Sequence, residues 1–408
     1  MIKSPRLILA FLTGLNLLNY LDRLVVSAVL PKIQDELVLS NFMGGLLATV
    51  FLVGYFVTAP AFGSLGDRIA RKWLIALGVI VWSAATIASG FATTAWGLLV
   101  ARAFVGIGEA SYATLAPTII DDITPPQKKG GALAIFYAAT PIGAALGYLV
   151  GGFVEARWGW RAAFFVAGGP GLALALVCLM IQEPERTLSK QKPDIRRDFR
   201  TLFDTELYRK GVLGFCAYTA AIGAFSYWAP KFLFKNFGMS LKAANFNFGL
   251  VTVVAGAAAT AIGGKWADAV RAKAEREAKP GDVDNETVRG LLRICAIGSA
   301  IGAPLAVACF LSPSPTLFFV LVFFDILALF LCTSPINAVI LRAVPPELRA
   351  SAMALSIFAI HILGDLWSPP VVGFLADHAP IATAMMTLPA AIAVSAWIWW
   401  PRRTSYST

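Results

Sequence analysis

Residues 41–72 read NFMGGLLATVFLVGYFVTAPAFGSLGDRIARK. Positions 41–66 carry no charged side chain, and Asp67, Arg68, Arg71 and Lys72 then arrive together. A helix needs about 20 mostly apolar residues, at ~1.5 Å rise each, to cross the roughly 30 Å of bilayer hydrocarbon. A helix on a soluble core instead shows polar positions at its 3.6-residue period. The segment therefore reads as a membrane-spanning helix that ends in a short charged loop.

The same alternation of apolar run and charged loop extends in both directions. Spans are predicted near 7–31, 41–65, 73–93, 95–120, 131–155 and 161–182, then near 210–234, 243–267, 290–312, 315–340, 350–376 and 380–400. Composition agrees: 58% of the 408 residues are hydrophobic and 14% charged, where soluble domains carry roughly 25% charge. The mean hydropathy is +0.71. The expected fold is an all-α membrane protein of about twelve helices in two six-helix bundles, 1–182 and 210–408. The stretch between, 183–209, holds Glu183, Glu185, Arg186, Lys190, Lys192, Arg196, Arg197, Asp198 and Arg200. It reads as a solvated cytoplasmic linker with short helices on the membrane surface.

The net charge of +10 lies in the loops and forms neither a basic stripe nor an aromatic platform, so a nucleic-acid partner is not expected. With both termini inside, the inner loops and tails hold about 26 of the Lys and Arg residues, against Lys32, Arg157, Arg161, Lys231, Lys235 and Lys242 outside. That asymmetry predicts cytoplasmic termini. No small-residue cleavage site follows Lys3 and Arg6, so the first run is read as a retained helix. Cys178, Cys216, Cys295, Cys309 and Cys332 fall in apolar spans at spacings that fit no metal site. There is no phosphate-binding G-x-x-x-x-G-K-[ST] loop, and no metal or cofactor is expected.

The halves repeat each other. Gly63-Ser-Leu-Gly-Asp67 closes the second span and Gly264-Lys-Trp-Ala-Asp268 the eighth. Pro125-Pro126 opens the fifth and Pro345-Pro346 the eleventh, which then close at Gly152-Phe-Val and Gly373-Phe-Leu. Several matches in order at nearly constant offset indicate duplication. Two related bundles can expose a midplane site to either side by rocking, which predicts a carrier.

Gly63-Ser-Leu-Gly-Asp67-Arg68-Ile-Ala-Arg71-Lys72 resembles the loop motif of the major facilitator superfamily. That resemblance implies a latch holding the two halves at the inner side, through Gly63, Asp67, Arg68 and Arg71. In the second copy Ala269 stands where the first has Arg68, which implies a weaker latch. Asn19-Tyr20-Leu21-Asp22-Arg23, with Arg102-Ala-Phe-Val-Gly-Ile-Gly-Glu109-Ala-Ser-Tyr112 and Thr114-Leu-Ala-Pro117-Thr-Ile-Ile-Asp121-Asp122, is similar to the Spinster group of that superfamily. The resemblance implies transport of lysolipids or sphingoid lipids. A chain this compact is expected in a bacterial inner membrane, working as a monomer.

Ionisable groups inside spans are costly unless paired or facing water, and so mark function. Arg102 and Glu109 are seven apart on one face, with about 10 Å of rise between them. They are expected to line one cavity rather than pair, with Gly106 and Gly108 keeping the wall open. Asn16, Tyr20 and Arg23 share a stripe of the first helix, and Asp22 points about 100° away. Tyr137, Pro141, Ala144 and Tyr148 form a stripe on the fifth.

The candidate substrate-binding residues are Asn16, Tyr20, Arg23, Arg102, Glu109 and Tyr148. Either Arg23 or Arg102 would meet an anionic head group, since guanidinium suits phosphate. Glu109 and Asp22 are the candidate proton-coupling groups; Asp22 is read equally as a packing or latch residue. Asp325, His361 and Asp365 are secondary candidates, the last two bonding each other or a substrate.

The leading expectation is a secondary-active carrier of amphiphilic lipid, lysophospholipid or sphingosine-1-phosphate-like, coupled to protons. The rival is an exporter of drugs or small organic anions. A polar-sugar carrier fits a Tyr, Gly and Ala wall less well. An enzyme needs a convergent catalytic set that is absent from the pattern, and a scaffold leaves the repeat unexplained.

Overall fold

Long apolar runs with serine or threonine at their starts set the helix boundaries. Ser40, Thr94 and Ser314 accept from the backbone N–H of Met43, Gly97 and Leu317 at 3.1, 3.1 and 3.3 Å, which satisfies a donor the first turn leaves free. The computed structural model describes residues 2–125, 128–182, 195–279 and 282–400. Glu183, Glu185, Arg186, Lys190 and Lys192 of the expected linker, and Pro126 of the repeat, lie outside the described residues.

The helices are α1 Pro5–Leu37, α2 Asn41–Gly66, α3 Arg71–Gly90, α4 Ala95–Ile123, α5 Lys129–Trp158 and α6 Trp160–Leu179. A short helix α7, Ile195–Asp204, precedes α8 Glu206–Phe237, α9 Leu241–Glu277 and α10 Val283–Phe310. Then come α11 Pro315–Phe330, α12 Thr333–Arg342, α13 Arg349–Ile360, α14 Ser368–His378, α15 Ile381–Met385 and α16 Thr387–Trp399. Twelve spans are long and apolar enough to cross a membrane; α11 with α12, α13 with α14, and α15 with α16 each make one of them. The breaks have a local cause. Pro335, Pro369, Pro370 and Pro389 each lack the N–H that would continue the ladder. Between α13 and α14, just before Pro369, residues His361–Asp365 widen into a π-helical turn.

The eighth span differs from its expected end near 267: α9 runs on to Glu277. Residues 267–277, ADAVRAKAERE, are strong helix formers. Ion pairs Arg271–Glu275 at 2.7 Å and Lys273–Glu277 at 3.8 Å support the extension. The second copy of the loop motif is thus helix interior, whereas in the first copy α2 stops at Gly66.

The chain forms two compact units. One comprises Met1–Lys190, Tyr227–Leu250 and Pro369–His378; the other Gln191–Ser226, Val251–Ser368 and Ala379–Thr408. In the first, close backbone approaches set the packing. A Cβ on Gly106 of α4 would sit 1.9 Å from the Phe51 carbonyl oxygen of α2, and one on Gly54 of α2 would sit 2.3 Å from that of Ala103. Gly78 of α3 and Gly108 of α4 approach each other in the same way, at 2.6 and 2.5 Å. The second unit repeats the device: a Cβ on Gly263 would meet Leu331 O at 2.2 Å and one on Gly298 would meet Ala328 O at 2.4 Å. Small residues allow such approaches where lipid supplies no hydrophobic drive between helices. Gly106→Ala is expected to cost about 1–3 kcal/mol or more by overpacking. Gly130→Ala, where a Cβ meets nothing within 4 Å, is the control. Thermal unfolding in detergent checks this, and equal stability of the two variants would contradict the packing described.

Large apolar side chains such as Val57, Phe91, Trp96 and Leu176 are exposed. In a membrane-spanning chain that exposure is solvation by lipid.

Candidate ion-pair and substrate site

The four charges within the first and fourth helices pair crosswise. Arg23 Nε of α1 donates to Glu109 Oε2 of α4 at 2.7 Å. Arg102 Nη1 of α4 lies 3.5 Å from Asp22 Oδ1 of α1, an ion pair at the limit of hydrogen bonding. Thr86 of α3 donates its hydroxyl to Asp22 Oδ2. The side chains of Asp22 and Arg102 are 1% and 3% exposed, and Glu109 is fully enclosed, while Arg23 keeps 18% exposure. One pair is therefore sealed inside the bundle. The other has a partly exposed cation and an enclosed anion.

Aromatic rings surround both guanidinium groups. Arg23 Cζ lies 4.8, 4.9 and 5.5 Å from the ring centres of Tyr20, Phe51 and Tyr55. Arg102 Cζ is 5.3 Å from the same Phe51 ring. Such faces stabilise a cation when water is scarce. Phe51, Tyr55 and Thr86 were not among the sequence candidates. An aromatic or a threonine in an apolar helix gives no signal until its neighbour is known.

The glycines beside Glu109 do not leave an open wall as the sequence reading had it. Gly106 carries the backbone of α2 and Gly108 that of α3. They bring α4 in close, and that closeness seals Glu109. Arg102 and Glu109 do not pair with each other, in keeping with their spacing; each finds a partner on α1.

The remaining candidates spread out. Asn16 is buried, its Nδ2 donating to Phe136 O at 2.9 Å and to Thr140 Oγ1 at 3.4 Å, which joins α1 to α5. Tyr148 is buried and meets the Phe248 ring edge-on at 5.5 Å. In the loop motif, Arg71 donates to Asp122 Oδ2 at 2.7 Å and to Thr118 Oγ1 at 2.9 Å, fixing the α2–α3 loop on the end of α4. Lys129 meets Asp121 at 2.6 Å. A Cβ on Gly63 would sit 3.7 Å from the Thr114 methyl, and Asp67 and Arg68 are exposed. In the second unit Asp325 is buried beside Gly302, with no donor to its Oδ1 among the described residues. His361 Nδ1 sits 2.9 and 3.0 Å from the two carboxylate oxygens of Asp365 across the π turn.

A polar cluster that the sequence did not flag lies in the first unit, where α1 ends and α2 begins. Asp377 of α14 accepts from the N–H of Asn41 at 2.6 Å and of Phe42 at 2.9 Å, so a carboxylate caps α2. Lys231 of α8 donates to Gln34 Oε1 at 2.5 Å and also to Asn41 Oδ1. Tyr227 donates to Gly44 O at 2.6 Å and Asn245 to Ala28 O at 2.9 Å.

The sequence profile of the Major Facilitator Superfamily matches residues 12–364. "Protein spinster" of Drosophila melanogaster is 34% identical over 379 residues, covering 89% of this chain and 60% of that protein. "Probable sphingolipid transporter spinster homolog 2" of Arabidopsis thaliana is 32% identical, covering 92% of this chain and 82% of that protein. The chain belongs to the Spinster group of the major facilitator superfamily. A solved bacterial homolog to the human lysosomal transporter Spinster, inward-facing and occupied, superposes with a TM-score of 0.82 over 98% of this chain and 97% of its own. At 22% identity that likeness concerns the fold, and it is the fold the apolar spans and the repeat predict. This Spinster-group chain is an integral, multi-pass membrane transporter.

Proposed function

We propose that this Spinster-group chain is a secondary-active, alternating-access carrier of amphiphilic lipids with an anionic head, lysophospholipid or sphingosine-1-phosphate-like. The observation that carries the reading is the Arg23–Glu109 pair, a partly exposed guanidinium among Tyr20, Phe51 and Tyr55 with its anion fully enclosed. Guanidinium binds phosphate through two parallel hydrogen bonds, so the head group competes with Glu109 for Arg23. A proton on Glu109 cancels the charge that holds Arg23 and frees it for phosphate. Proton and head group then bind together, and the pair moves as a symport. Tyr20 and Tyr55 add hydrogen bonds and apolar wall. Asp22 and Arg102 keep α1 and α4 in register beneath the site.

In this reading the halves 1–182 and 210–408 rock about the site, joined by the linker 183–209, in a chain that works as a monomer. Gly63, Asp67, Arg68 and Arg71 latch them at the inner side in one state. The Asp377 and Lys231 contacts break in the opposite state. The termini face the cytoplasm of a bacterial inner membrane, as the loop charges predict.

The test is uptake into proteoliposomes of a labelled lysolipid and of a non-lipid organic anion. The lipid is expected to move at least about tenfold faster, a difference of roughly 1.4 kcal/mol in selectivity. Transport of the organic anion without the lipid would replace this reading with the exporter.

A further inference from the structure

We propose that the chain holds one anionic diacyl phospholipid of the surrounding bilayer at a second site, between α8 and α13 of the second unit. A cavity of about 240 Å³ lies there, lined among others by Tyr208, Val212, Leu355, Ala359 and Leu363, with Arg209 at its rim. Its wall is almost wholly hydrocarbon and ring. Apolar cavities of this kind stay dry. Sites that enclose a whole drug-sized ligand run to about 300–1,000 Å³, so this one takes a length of a single acyl chain and leaves the rest of the molecule outside.

The rim says what that remainder is. Arg209 Nη1 donates to Phe203 O at 2.9 Å and its Cζ lies 5.8 Å from the Phe203 ring, which holds the guanidinium over the mouth. The neighbouring cations are already engaged: Lys210 with Glu206 at 2.5 Å and Arg200 with Asp204 at 4.0 Å. Arg209 forms no close ion pair among the described residues; Glu206, paired with Lys210, also feels its charge. The mouth lies where α7 meets the start of α8, and α7 reads IRRDFRTLFD, with three arginines in ten residues. Basic short helices at the end of a span attract anionic lipid. An apolar slot with a fixed guanidinium at its mouth fits a chain below and a phosphate above. The site is separate from the Arg23–Glu109 cluster, which belongs to the other unit.

The test uses native mass spectrometry of the full chain in detergent, on an Arg23→Ala background so that the transport site does not contribute. The probes are phosphatidylglycerol and phosphatidylethanolamine with identical acyl chains. One phosphatidylglycerol is expected to be retained at least fivefold more tightly than phosphatidylethanolamine. Ala359→Phe, which fills the slot, is expected to abolish retention of both. Arg209→Gln leaves the apolar wall intact and is expected to bring phosphatidylglycerol down to the phosphatidylethanolamine level. Retention unchanged in Ala359→Phe, or a preference unchanged in Arg209→Gln, would overturn the proposal, and the second variant decides alone if the first does not fold.

Discussion

Arg102→Ala is expected to lower the stability of the first unit by about 3–5 kcal/mol, the cost of leaving one buried charge without its partner. Asp22 and Arg102 are sealed on every side, with Thr86 the further donor to Asp22. Removing the cation alone therefore strands the carboxylate. The double variant Asp22→Asn with Arg102→Met removes both charges, keeps an acceptor for Thr86 and keeps the volume. It is expected to regain most of the loss, because buried pairs replaced as a pair are often neutral or better. Thermal and denaturant unfolding of the single and double variants measure this. If Arg102→Ala were as stable as the parent chain, the pair would not hold α1 to α4.

Arg23→Ala is expected to behave in the opposite way: a folded protein that no longer transports. Its guanidinium is partly exposed, so this pair is less deeply buried than Asp22 with Arg102. Loss of a charge-assisted phosphate contact typically costs about 2–5 kcal/mol of binding, or roughly 30-fold and more. Arg23→Lys keeps the charge and loses the fork, so partial activity with weakened lipid affinity is expected. A fully active Arg23→Ala carrier would remove Arg23 from the head-group role. Glu109→Gln mimics the protonated acid. It is expected to keep some lipid binding and to lose the response to a proton gradient.

Much of this was legible in the chain itself. Runs such as 41–66 marked the spans, because an uninterrupted apolar run of that length suits a membrane helix. The charges Asp22, Arg23, Arg102 and Glu109 stood out because apolar helices otherwise exclude them. Their crosswise pairing was hidden. Spacing along α4 relates Arg102 to Glu109, and nothing along the chain says that α1 lies against it. Gly106 and Gly108 were ambiguous for the same reason: a missing side chain reads as open space or as a neighbour's backbone, and only the packing decides. The run-on of α9 could have been read from its alternating charges. The Asp377 cap on α2 could not, since its two ends lie 336 residues apart.

In the proposed symport a proton on Glu109 and a lipid head group on Arg23 move together. The most direct measurement is lysolipid uptake into proteoliposomes with and without an imposed pH gradient, parent chain against Glu109→Gln. An inward proton gradient is expected to drive lipid accumulation in the parent chain, while the variant only equilibrates lipid, indifferent to the gradient. Equal gradient-driven accumulation by both would contradict it.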